Sequence, residues 1–122
     1  MTEEISFDPA RKVPIKFRIN RQANKRFVFT ENGAELDITG WTWEFFIKRY
    51  PGDLKKTISL TLNNGLSFTV YETNSLDVFF TALQTDIQEG QYYWELVRTD
   101  IQKTWLNGWA VFSYGPVDNA TD

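Results

Sequence analysis

The sequence predicts an all-β fold, a two-layer sandwich of seven to eight short strands, and four observations carry that prediction. Apolar and polar residues alternate with a period of two in segment after segment, as they must when successive strand side chains point to opposite faces. Turn-forming residues recur at roughly the 8–12-residue intervals of sandwiches and barrels. No run of about ten or more residues carries a helical period. Aromatic residues make up 16% of the 122 residues, a bias that strands accommodate better than helices do.

The chain is organised around residues 40–50. Trp41, Trp43, Phe45 and Ile47 share one parity, and Thr42, Glu44 and Lys48 share the other. This is a half-buried central strand with a very large inner face, and its parity sends Phe46 outward. Gly40 before it and Pro51-Gly52 after it are turn punctuation.

Taken in order, residues 1–14, with Pro9 and Pro14 and no periodicity, read as an extended arm with Phe7 as its aromatic anchor. Such an arm is ordered by contact with a neighbour or not at all. Ile15, Phe17 and Ile19 alternate with Lys16, Arg18 and Asn20 and open the sandwich domain, residues 15–114. A second strand follows from Lys25 to Glu31, and Asn32-Gly33 turns it. After the central strand, Ile58, Leu60 and Leu62 lead through Asn63-Asn64-Gly65 to Leu66, Phe68 and Val70, which predicts a hairpin. Leu76, Val78 and Phe80 form a further strand, and residues 85–90 a short connection. Tyr92, Trp94 and Leu96 then share an inner face, which sends Tyr93 outward and sets Trp94 to pack on Trp43. The last strand, about residues 104–114, has apolar residues on both parities. Gly108 reads there as a bulge, so either Trp105 or Trp109 faces out. Residues 115–122 read as a flexible C-terminal tail.

Tyr92 follows a Gly-ended corner and precedes the inward Trp94 by two residues. Immunoglobulin-like sandwiches place a corner tyrosine in this position, bonded to the backbone upstream; the alternative is a plain core aromatic.

Composition removes whole classes of chemistry. There is no cysteine and no histidine, so disulfides, Cys/His zinc sites, Cys nucleophiles and His-dependent triads are impossible. Phosphate-cradling glycine loops are missing. Glu44 and Glu95 lie on neighbouring strands, but on outward parity rather than across a cleft, which argues against carboxylate catalysis. Asp53, Asn63 and Asn64 are explained as turn residues, not calcium ligands. No apolar run reaches the length of a membrane helix. The expectation is a chain without enzymatic activity, cofactor or metal.

Charge is unevenly placed. Residues 11–26 hold seven basic residues (Arg11, Lys12, Lys16, Arg18, Arg21, Lys25 and Arg26) and no acidic one, leaving six basic against sixteen acidic groups elsewhere. This marks either a charged contact surface or a strand edge blunted against aggregation. Phe17 shares the inward parity of Ile15 and Ile19, away from Lys16 and Arg18, which argues against a nucleic-acid platform.

The segment Asp37-Ile38-Thr39-Gly40-Trp41-Thr42, followed by an alternating strand, is similar to a signature of small bacteriophage structural proteins. Gly90-Gln91-Tyr92-Tyr93-Trp94-Glu95-Leu96, Leu106-Asn107-Gly108-Trp109 and the opening Phe17-Arg18-Ile19-Asn20-Arg21 with Phe27-Val28-Phe29 extend the likeness over roughly residues 15–112. The chain resembles the immunoglobulin-like N-terminal domain of phage baseplate upper proteins and the small stand-alone phage proteins related to it. These motifs are turn and core residues, so they specify fold more than task. The resemblance implies a virion structural protein, made in the bacterial host cytoplasm, acting as an assembly or adaptor module of tail, baseplate or neck. Its partners would be other virion proteins or copies of itself, in an oligomeric assembly, with neither membrane nor nucleic acid. The candidate contacts are Phe7, Arg11, Lys12, Arg18, Arg21, Phe46, Tyr93, Trp105 and Trp109. The alternative is a carbohydrate-binding sandwich with Trp105 and Trp109 as the aromatic platform.

Overall fold

A computed structural model describes residues 3–7 and 14–114. Within them the chain is all-β, with ten strands: β1 (Glu3–Phe7), β2 (Ile15–Arg18), β3 (Ala23–Glu31), β4 (Ala34–Glu35), β5 (Trp43–Lys48), β6 (Ile58–Leu62), β7 (Gly65–Phe68), β8 (Ser75–Phe80), β9 (Gly90–Arg98) and β10 (Lys103–Ser113). Nine of them follow one another as β1-β3-β8-β7-β6-β5-β9-β10-β2, and β4 pairs with β3. The sheet curls, so that rings from its first strands meet rings from its last. Phe27 lies 5.7 Å from Phe45, Phe29 stacks on Trp43 at 5.6 Å, and Phe17 meets Phe80 edge-on at 4.8 Å. The order β6-β5-β9-β10 beside β3-β8-β7 is the neighbour pattern of an immunoglobulin sandwich with an added edge strand.

The central strand has the expected parity. Trp43, Phe45 and Ile47 are buried inward, and β5 lies between β6 and β9. Tyr92 is a corner tyrosine: its Oη donates to the Gln88 carbonyl at 2.7 Å, and the ring is buried. Asn32 and Gly33 both take positive φ, 53° and 81°, as a two-residue turn matched to strand twist demands.

Five details differ from the sequence expectation. The two strands beyond eight are the two-residue β4 and β1. The latter lies within the arm and pairs in parallel with β3 of the same chain, Glu3 opposite Lys25 through Phe7 opposite Phe29. The rest of the arm, with Arg11 and Lys12, and the tail 115–122 lie outside the described residues. β6 and β7 form no hairpin: they meet in parallel over two positions, Thr61 opposite Gly65 and Leu62 opposite Leu66. At that junction the chain passes between layers, and Gly65 (φ 100°) lies so close to Leu60 that a Cβ would meet Leu60 Cδ2 at 2.6 Å.

Trp94 does not pack on Trp43. It stands opposite Ile47, while Trp43 stands opposite Arg98, an offset of four residues or roughly 13 Å along the strand. Phe45 takes the place between them, stacked on Trp94 at 5.6 Å. Gly108 is no bulge. The register shift falls between Thr104 and Leu106, and Gly108 is where β10 crosses the Trp94 indole, with a Cβ position 3.0 Å from Nε1.

Candidate interaction surfaces

The outer face of β6-β5-β9-β10 is built by the same parity that fills the core. Opposite each other stand Ser59, Phe46, Glu95 and Asn107 in one row, and Lys48, Tyr93 and Trp109 in the next. Tyr93 and Trp109 meet edge-on, centroids 6.0 Å apart and planes at 74°. Trp109 is 46% exposed. Partial burial and the nearby Glu95 charge push the Tyr93 hydroxyl pKa above its ordinary value. Glu95 also accepts a hydrogen bond from Thr104 Oγ1 at 2.8 Å.

Phe46 points outward as expected but is only 6% exposed, which corrects its reading as an open contact. Two ammonium groups cover its ring, Lys48 Nζ at 5.1 Å and Lys56 Nζ at 4.7 Å. Lysine stems bury against an apolar surface while the charged heads stay wet, and the ring face attracts the cations. Glu44 fixes this cover by accepting hydrogen bonds from Lys56 Nζ and Ser59 Oγ, both at 2.8 Å. Partial burial raises the Glu44 pKa, but those bonds and the Lys56 charge outweigh it and hold the carboxyl below its ordinary value. An ionised, neutralised carboxylate is suited to holding lysines and unsuited to general acid work.

The bulge at Trp105 turns that side chain inward, so Trp109 is the indole that joins Tyr93. Trp105 meets Trp41 at 5.3 Å and Trp43 at 6.3 Å. Arg98 closes this cluster, its guanidinium carbon 3.6 Å from the Trp41 ring centre. Asp100 anchors Arg98 through bonds of 2.9–3.1 Å, and the Arg98 hydrogen bonds hold the Asp100 carboxyl below its ordinary value. Trp105 is thus a packing residue. With the two indoles on opposite faces and Tyr93 turned edge-on to Trp109, no flat two-ring platform for a sugar is formed.

The basic segment is partly absorbed by the fold. Lys25 is buried, its Nζ donating to the Lys16 carbonyl at 2.9 Å above the Phe17 ring, and Arg26 bonds Asp77 at 2.7 Å. Arg18 is half-buried on β2 beside Ser113. Arg21 is exposed, its backbone clamped by the buried Thr85 hydroxyl, which accepts from the Arg21 amide at 3.0 Å and donates to its carbonyl at 2.7 Å. Phe7 lies in β1. Lys56 and Arg98 escaped the sequence reading. Both reach their rings from a loop or across strands, and residue spacing does not show that.

Among the described residues, no group of three or more acidic side chains could hold a metal ion, and no helix is long and apolar enough to cross a membrane. No protein-family model matches the chain, and no curated protein matches it. Among solved structures, the N-terminal domain of phage TP901-1 ORF48 is similar, with a TM-score of 0.59 at 10% identity, covering 93% of this chain and 99% of that one. The natural killer cell receptor NKp44 aligns at a TM-score of 0.42 and 9% identity over 85% of this chain and 100% of that one. A laccase from Botrytis aclada aligns at 0.38 and 15% identity over 92% of this chain and 20% of that one.

Proposed function

We propose that this chain is a non-enzymatic structural module of a bacteriophage particle, acting as an assembly or adaptor piece of tail, baseplate or neck. The observation that carries the proposal is the end-to-end fold likeness to a phage protein's N-terminal domain, 93% of one chain on 99% of the other. The resemblance of the Asp37-to-Thr42 and Gly90-to-Leu96 motifs to those of small phage structural proteins points the same way. Three carboxylates of the described surface, Glu44, Asp100 and Glu95, are bonded to lysine, arginine or hydroxyl partners, as suits a packing role for them. The contact face is the outer side of β5-β9-β10, with Trp109 and Tyr93 at its centre, because interfaces enrich exposed aromatics. Its partners are other virion proteins or further copies of the chain, and its place is the virion.

Particles purified from a phage or prophage whose genome carries this gene test the proposal. Mass spectrometry should find the chain in particles banded on a density gradient, at a fixed ratio to the other virion proteins. A chain abundant in the lysate and missing from the particles would refute the proposal.

A further inference from the structure

The two ends of the sandwich differ in charge and in shape. One end gathers the loops after β3, β7 and β9; Phe29 N to Asn74 O at 2.9 Å and Ile38 N to Thr73 O at 2.8 Å tie the first two, and Thr99 N to Thr42 O at 2.8 Å ties the third to the chain before β5. Between residues 27 and 47, and again between 57 and 97, there is no lysine or arginine. Among the described residues, Glu31, Glu35, Asp37 and Glu72 are exposed here against Lys103, Arg98 being taken up by Asp100.

From this acidic end projects a knob. Tyr71 is fully exposed and Val70 is 72% exposed. Tyr71 also has φ +66°, a left-handed conformation in which a bulky side chain is a genuine outlier and where Gly or Asn would sit at less cost. The loop is held rather than loose. Thr69, Asn74 and Ser75 are buried at its base. Thr69 Oγ1 bonds Asp77 at 3.0 Å, Asn74 Nδ2 bonds the Phe29 carbonyl at 3.3 Å, and Ser75 Oγ bonds Glu72 at 3.0 Å. A rigid, exposed aromatic with its backbone fixed is the kind of anchor that binds without a large ordering cost.

The opposite end carries the β2–β3 turn, the loop after β5 and the loop before β9. Among the described side chains, Lys16, Arg21, Lys48, Arg49 and Lys55 outnumber Asp53, Asp86 and Glu89 there. Leu83, 81% exposed, and Phe79 supply apolar surface, and the loop that carries Leu83 is bonded to the Arg21 backbone through Thr85. Acidic knob and basic apolar seat are complementary in sign, and they lie at opposite ends of one chain.

We propose that copies of this chain associate head to tail, the Val70–Tyr71 knob of one seated against Leu83, Phe79 and Arg21 of the next. Such a heterologous contact closes into a ring or extends into a filament, according to the rotation it imposes. The inference uses only the surface of the chain and stands independently of the phage reading.

Sedimentation velocity of the full chain at low salt, over a range of concentrations, tests it. The wild-type chain should grow in mean mass with concentration, and salt should reverse the growth. Tyr71→Gly should abolish the growth while leaving the melting temperature equal or higher, because glycine relieves the backbone at that position. Glu35→Lys with Glu72→Lys in one variant, and Arg21→Glu in another, should each weaken association by roughly tenfold or more through facing like charges. An equimolar mixture of the two charge variants should restore it, since both kinds of junction are then attractive. A wild-type chain that stays monomeric throughout, Tyr71→Gly associating like wild type, or a mixture without rescue would each overturn the proposal.

Discussion

Trp105 and Trp109 stand four residues apart on β10 and end on opposite faces of the sandwich. Trp105, at the register shift, turns into a cluster with Trp41 and Trp43, whereas Trp109 turns out against Tyr93 with nearly half its surface in water. In an unbroken strand, residues four apart would share a face. One extra residue in the strand therefore decides which indole stabilises the chain and which is free to meet a partner. The same contrast holds on β5, with a difference. Phe45 is sealed by other rings, but its outward neighbour Phe46 is sealed by lysines of its own sheet. Parity fixes where a side chain points, and its neighbours fix whether it is exposed.

The contrast is broken most severely from the inside. Trp94→Ala should cost about 3–5 kcal/mol in urea unfolding, because its indole, with no exposed surface, fills the space between Phe27, Phe45 and Gly108. Trp109→Ala should cost well under half as much, and equal losses would erase the distinction between the two faces. Gly108→Val comes next, at about 1–3 kcal/mol of overpacking strain, since the added side chain lands on the buried indole ring rather than on a flexible tip. A smaller loss, about 0.5–1.5 kcal/mol, is expected for Tyr92→Phe, which removes only the corner bond to the Gln88 carbonyl. An unchanged melting temperature would mean that water replaces that bond without cost.

The smallest effect lies on the outer face. Folding lowers the Glu44 pKa, so the ionised group contributes stability that is complete above its ordinary value of 4.5 and lost as pH falls through the lower folded value. Glu44→Gln should cost roughly 0.2–1 kcal/mol at neutral pH, the range of exposed ion pairs, and nothing at pH values where wild-type Glu44 is protonated. A difference in stability that persists there would assign the loss to packing instead of charge.

Much of this was readable in the sequence, and for identifiable reasons. Alternation placed β5 and β9 and gave the facing of Trp43, Phe45, Tyr92, Tyr93 and Trp94, because a period of two is a local property. The corner tyrosine was readable because its partner lies four residues away. What failed was register and reach. The offset between Trp43 and Trp94 depends on how two distant strands slide, and the β10 bulge sits where both parities are apolar. The β6–β7 junction mimics a hairpin, since Asn63-Asn64-Gly65 supplies turn residues whichever layer the chain enters next. The cover over Phe46 requires Lys56, brought from a loop by Glu44, and no spacing rule predicts it.

The central claim is that Trp109 and Tyr93 mark a face that is open in the free chain and covered in the assembled particle. Hydroxyl-radical footprinting of the isolated chain and of purified particles, read at single residues, tests it most directly. Trp109 should label readily in the free chain and be protected several-fold in the particle, with Trp43 and Trp94 protected in both. Equal labelling of Trp109 in the two states would contradict the claim.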